Sequence, residues 1–207
     1  MNKIKKFFPQ IFGGIASGLL VAIGGTVLLS VDNRYAGAVL FTVALLSICV
    51  LDLYLFTGRI GFVAESFNRQ MPAQLIVGLL GNFVGATLTG WIVRYMKPDL
   101  IEKVQASCQT KLANGVLRAF LLGCFCGVLM YVAVKIYKCG SILGVIFCIP
   151  VFILAGFEHS IADMFYFALA GMMDLAYLGF IIAVILGNSV GAMIIAALWR
   201  LKNVSAK

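Results

Sequence analysis

The stretch GFEHSIADMF at 156–165 places Glu158, His159 and Asp163 inside a hydrophobic run, and His159 is the single histidine of the chain. An imidazole, with an unperturbed pKa of about 6.5, takes or releases a proton near neutrality and donates hydrogen bonds to anions. Ionisable side chains at membrane depth are expensive and mark ion or substrate paths. Asp163 follows His159 by one helical turn, so on a helix it shares that face and would favour a protonated ring. Glu158, adjacent to His159, points away from it on a helix. Its expected task is to accept backbone N–H groups where the helix is interrupted. Ser160 and His159 are neighbours in sequence and do not face each other as a nucleophile and its base do, which weighs against an intramembrane enzyme. The plain alternative is a structural, hydrogen-bonded histidine.

The elements that must carry these residues are set by composition. Of 207 residues 62% are hydrophobic and 12% charged, too apolar a balance for the surface of a soluble domain of this length. An integral membrane protein in a lipid bilayer is expected. The net charge of +8, from 16 Lys and Arg against 8 Asp and Glu, then reflects cytoplasmic loops and not nucleic-acid binding. The six cysteines form no C-x-x-C pair, and Cys124 and Cys126 point to different sides of a helix. Neither a disulfide framework nor a metal or other cofactor is expected.

Six apolar stretches reach bilayer-crossing length, near 10–31, 35–56, 73–96, 112–134, 140–157 and 175–199. The first follows a basic start but is long enough to span, so it reads as an uncleaved helix and not a signal peptide. The connections DNRY, NRQMPAQ, KPDLIEKVQASCQT and KIYKCGS leave no room for a soluble domain, so residues 1–207 read as one transmembrane channel domain. With both termini cytoplasmic, Lys3, Lys5, Lys6, Arg69, Lys135, Lys138, Arg200, Lys202 and Lys207 face inward against Arg34, Arg94, Lys97, Lys103 and Lys111 outside.

Two segments fit neither a plain span nor an aqueous loop: FTGRIGFVAESFNRQ after the second run and FEHSIADMFYFALAGMMD after the fifth. Helices interrupted near the midplane and continued as half-helices account for both. GNFVGA at 81–86 and GNSVGA at 187–192 each follow an interruption, and three spans per half make the second copy inverted. The expected fold class is therefore an all-α membrane protein. Its six transmembrane helices form an inverted 3+3 repeat, with half-repeats about 10–97 and 112–200 and helices 2 and 5 broken. Chance recurrence of a small-xxx-small helix-packing motif is the alternative. Half-helix N-termini at the breaks offer backbone N–H groups to an anion, Thr57 adds a hydroxyl and His159 a protonatable ring. Lys111, before the fourth span, would draw anions toward the entrance or be an ordinary solvated lysine.

GFEHSIADMF closely resembles the signature stretch of the formate/nitrite transporter family, LFTG at 55–58 resembles its first helix break, and the two GNxVGA elements resemble its third and sixth helices. The resemblance covers all six spans. It implies an aquaporin-like protomer assembled as a homopentamer in the inner membrane, each protomer passing a small monovalent anion such as formate, nitrite or hydrosulfide. It also implies that Thr57 and His159 are the central pair that meets the anion. By the same resemblance Phe41, Leu45 and Phe56 form the cytoplasmic-side constriction and Phe152 the periplasmic-side one. Lys111, sixteen residues before Gly127, takes the place of the vestibule lysine, and Asn188 that of the sixth-helix asparagine near the pore. Three positions depart from the family pattern: Asp163 replaces the usual asparagine, Gly127 a frequent asparagine, and Tyr54 the acid before L-F-T.

The expected function is a channel or proton-linked transporter for a small monovalent anion, formate first. Lys111 would concentrate the anion, the phenylalanine collars would strip its water, and Thr57 and His159 would hold it. Proton transfer would let it cross as the neutral acid. A neutral-solute channel of aquaporin type is the alternative from a different class.

Overall fold

The computed structural model describes residues 7–204, so Lys3, Lys5, Lys6 and Lys207 of the charge bias lie outside the described residues. In chain order the helices are α1 (Phe8–Ser30), α2 (Arg34–Val50), the short α3 (Phe56–Arg59) and α4 (Phe62–Glu65), α5 (Met71–Met96), α6 (Ile101–Ala113), α7 (Gly115–Lys138), α8 (Leu143–Ala155), α9 (Ser160–Ala170) and α10 (Leu175–Val204). Among the described residues no strand interrupts this order. Four helices, α1, α5, α7 and α10, are long and apolar enough to cross a membrane. The α8 and α9 pair together reaches span length and bends by 52° at its break. The shorter apolar α2, with α3 and α4 beyond its own break, takes the corresponding place in the first half.

Helix packing repeats between the halves. α1 lies against α5 and α2 as α7 lies against α10 and α8, while α9 crosses over to α5 and α4 to α10. The close pairs are made by glycines. A Cβ on Gly85 would sit 2.1 Å from the Ile15 carbonyl oxygen of α1, and one on Gly191 would sit 1.8 Å from the Cys124 carbonyl oxygen of α7. Small residues let transmembrane backbones approach where no hydrophobic force drives helices together. The packing motif and the inverted repeat are thus the same residues seen at two scales. Outside, Leu19, Val43, Leu80, Leu121, Phe147 and Leu186 are exposed, giving the molecule the apolar exterior that lipid requires.

Two sequence expectations change. KPDLIEKVQASCQT is not a plain connection: Pro98–Leu100 forms a 3-10 turn and α6 follows it, with Lys103 Nζ donating to the Leu29 carbonyl at 2.7 Å and Gln105 Nε2 to that of Ala170 at 3.0 Å. These bonds lay α6 across the ends of α1 and α9. The first interruption also begins earlier than Thr57, at residues 51–55, with Thr57 already inside α3. Asp52 adopts a left-handed backbone (φ 47°), the one positive φ outside glycine among the described residues, and turns the chain there.

Candidate functional site

Each break is held by one asparagine from the helix that follows it. Asn82, fully buried on α5, accepts from the Phe56 N–H through Oδ1 at 2.9 Å, and its Nδ2 donates to the carbonyls of Tyr54 at 2.8 Å and Gly14 at 2.9 Å. Asn188, fully buried on α10, accepts from the Ser160 N–H at 3.0 Å and donates to the carbonyls of Glu158 at 2.8 Å and Gly123 at 2.9 Å. The two sets match atom for atom: Tyr54 corresponds to Glu158, Leu55 to His159 and Phe56 to Ser160. A broken helix in lipid leaves backbone groups that water cannot satisfy, and an amide side chain supplies both an acceptor and donors for them. Asn188, expected near the pore, therefore acts on the backbone of the break. Gly127 on α7 is explained by the same contact, since a Cβ there would lie 2.1 Å from the Asn188 carbonyl oxygen.

The breaks bring Thr57 and His159 together from 102 residues apart, with Thr57 Oγ1 2.8 Å from His159 Nε2 and both residues buried. His159 Nδ1 accepts the Ala162 N–H at 3.1 Å, so the imidazole, and not the Glu158 carboxylate, caps α9. In the neutral ring one nitrogen accepts and the other donates. With Nδ1 accepting, Nε2 carries the hydrogen and donates it to the threonine oxygen. The pair presents hydrogen-bond donors at a buried site.

Phe41, expected with Leu45 and Phe56, meets Phe152 edge-on with ring centroids 6.3 Å apart, and Phe152 stacks on the His159 ring at 5.7 Å. Phe41 and Leu45 are one turn apart on α2, enough to set them at different heights along the bundle. Phe41, Leu45, Phe56 and Phe152 are all buried.

Lys111 is half-buried and not free. Its Nζ donates to Glu158 Oε2 and lies 3.0 Å from Asp163 Oδ1, with the two carboxylate side chains only 4% and 1% exposed. Burial works against the charge on Lys111, but Asp163 and Glu158 outweigh it and hold the lysine above its ordinary range. Asp163, expected to support a protonated His159, instead faces Lys111: its short side chain ends on the α6 side of α9. Glu158, expected to cap the break, gives its side chain to Lys111 and only its backbone carbonyl to the break.

Sequence reasoning missed the partners of the first break. Arg59 Nη2 donates to Asp52 Oδ1 at 2.8 Å and to the Leu53 carbonyl at 3.2 Å, and its guanidinium covers the Tyr54 ring at 4.6 Å. Tyr54 thus meets a cation through its ring face, where its counterpart Glu158 meets Lys111 through a carboxylate. Beyond α3, Glu65 of α4 accepts from Tyr131 Oη at 2.5 Å and from Lys135 Nζ at 2.6 Å, which ties α4 to α7. The recurring GNxVGA was the available signal for Asn82; Arg59 and Glu65 mark 56–70 as no plain span, but nothing local names their partners. Among the described residues no cluster of three or more His, Cys, Asp or Glu could hold a metal ion.

A family model described as formate/nitrite transporter matches residues 1–201. Curated relatives include a formate channel, FocA, of Haemophilus influenzae, 27% identical over 78% of this chain and 66% of that one. The nitrite transporter NirC of Escherichia coli is 29% identical over 76% of this chain and 63% of its own length. The matches thus span just under two thirds of the length of these relatives. A solved structure described as a pentameric formate channel with formate bound superposes over 100% of both chains with a TM-score of 0.82 at 22% identity. A second, described as an FNT family ion channel, gives 0.78 at 23% identity over 100% of this chain and 91% of the other. The shared fold is that of these channels.

Proposed function

Because the chain belongs to the formate/nitrite transporter family, we propose that it is a channel or proton-linked transporter for a small monovalent anion, formate first. The observation that carries this reading is the Thr57–His159 pair, buried where two helix breaks converge and 2.8 Å apart. A donor pair of that size suits the two oxygens of a carboxylate the size of formate. The Phe41–Phe152 contact beside it excludes bulkier or hydrated solutes. Formate passing between Thr57 and His159 exchanges their mutual hydrogen bond for bonds to its oxygens, and it crosses the dry section as the neutral acid after gaining a proton. Charge at membrane depth is costly, so carrying the anion with a proton removes most of that cost. We assign Phe41 and Phe152 to one constriction and Leu45 and Phe56 to the other.

Nitrite or hydrosulfide is the second reading, favoured by the likeness to the Escherichia nitrite transporter. Assembly as a homopentamer follows the description of the matching formate channel. Residence in the inner membrane with both termini cytoplasmic follows the basic residues of the α4 side, Arg69, Lys135, Lys138, Arg200 and Lys202. The channel domain fills the whole chain.

The test is uptake into proteoliposomes of labelled formate, nitrite, hydrosulfide and glycerol between about pH 5 and about pH 8. Formate uptake should rise as pH falls and drop by at least about tenfold in His159→Asn, equal to ~1.4 kcal/mol of barrier. Glycerol flux in place of anion flux, or formate uptake unchanged by the substitution, overturns the reading.

A further inference from the structure

We propose that Asp163 is the proton-carrying group of the α6 mouth: the Glu158–Lys111–Asp163 cluster, in which a half-buried lysine meets two buried carboxylates, admits an anion only together with a proton, which Asp163 takes up and hands on. The inference rests on the anion-path reading above and names where that path acquires its proton.

The cluster has one cation and two carboxylates. With all three ionised it carries a net charge of −1, one positive charge against two negative, beside the break that holds His159. A second negative charge arriving at that mouth meets repulsion, and Lys111 has none of its charge to spare. Asp163 Oδ1 faces Lys111 at 3.0 Å, while Oδ2 is buried without a hydrogen-bond partner. A buried carboxylate oxygen left bare is a costly arrangement, and a proton placed there lowers the cost by removing the charge.

No other group offsets the extra acid. α6 brings Cys108 near it beside Lys111, α7 brings Cys126, α10 brings Tyr177, and α9 itself carries Tyr166. α1 has no titratable side chain, and Arg94 of α5 is turned to the Leu169 carbonyl at 2.8 Å. None of these is a second cation at the cluster. The histidine does not serve as the first proton acceptor either, because Nδ1 is occupied by the Ala162 N–H and Nε2 already bears hydrogen.

The charges balance through the step. A proton from water forms an O–H bond at Asp163 Oδ2, and the cluster goes from −1 to 0. The anion enters and restores the total to −1. The O–H bond at Asp163 then breaks as the proton moves to the anion's oxygen. The neutral acid passes on to Thr57 and His159, and the cluster returns to −1. One proton crosses with each anion, and no net charge moves.

The experiment uses the full chain in proteoliposomes and planar bilayers with formate as the probe. The unmodified protein should carry formate without current, with uptake falling by at least about tenfold between about pH 6 and about pH 8, as coupling to one proton requires. Asp163→Asn should conduct a formate current and flatten that fall to less than about twofold. Asp163→Glu should restore the steep dependence. Glu158→Gln removes the same unit of charge from the second carboxylate that Lys111 meets and should flatten the dependence as Asp163→Asn does, which keeps the test alive if one variant folds poorly. An Asp163→Asn protein that stays current-free and as steep as the parent overturns the inference while leaving formate transport standing. A parent that carries none of the small anions overturns the transport reading and the inference with it.

Discussion

Replacing Asn188 by leucine should break the second helix interruption. The substitution keeps the branched shape and approximate size while removing three hydrogen bonds of 2.8–3.0 Å from a residue with no exposed surface. Hydrogen bonds inside membrane proteins average about 0.6 kcal/mol each, which sets a lower bound near ~2 kcal/mol. The Ser160 N–H and the Glu158 carbonyl lie in the break and have no helical partner to fall back on. Leaving each unsatisfied costs about 1–3 kcal/mol, which sets an upper bound near ~6 kcal/mol. Burying a leucine does not repay this, because lipid is as apolar as the bundle interior. Asn82→Leu removes the equivalent three bonds at the first break and should lose the same amount to within ~1 kcal/mol. Reversible unfolding in mixed micelles, followed by circular dichroism, gives both values, and formate uptake should fall with them because Thr57 and His159 lose their alignment. A loss below ~0.5 kcal/mol for either variant, or a loss at one break only, would refute the view of two equivalent asparagine clamps.

Two further outcomes test the frame around the site. Gly191→Ala puts a methyl group 1.8 Å from the Cys124 carbonyl oxygen, so α10 and α7 must separate, and a loss of about 1–3 kcal/mol in the same unfolding assay is expected. Asp52 holds φ 47° at the start of the first break, and its carboxylate is highly exposed in its pair with Arg59. Asp52→Asn should change stability by less than ~0.5 kcal/mol, and Asp52→Val should cost about 1–2 kcal/mol, because a β-branched residue is strained in that conformation.

Much of the frame was legible because lipid imposes strong rules on sequence. Long apolar runs, polar residues where the helix must stop, and the doubled GNxVGA are direct imprints of satisfying backbone groups without water. The position of the first break was not legible: Asp52 is the one charged residue in SICVLDLYLFTG and does not mark a break by itself, and the turn depends on its φ and an amide from Asn82, 26 residues beyond Phe56. α6 was misread because it was judged by hydropathy, although Glu102, Lys103, Gln105, Lys111 and Leu112 are good helix formers. The task of Lys111 was hidden for another reason. Its partner Glu158 lies 47 residues away, and local spacing says nothing about which carboxylates a lysine meets across a bundle. Asp163 was noticed as a departure, but helical periodicity paired it with His159, which the cap geometry turns the other way.

The asparagine clamps touch only main-chain atoms of the breaks they hold. Tyr54 and Glu158, Leu55 and His159, Phe56 and Ser160 occupy equivalent places in the two halves with nothing in common as side chains. Bonding of this kind leaves the side chains at these places unconstrained by the clamp, and one half carries a leucine where the other carries a histidine. A break built in this way tolerates exchange of its side chains, because its geometry is held through main-chain atoms that every residue but proline offers alike.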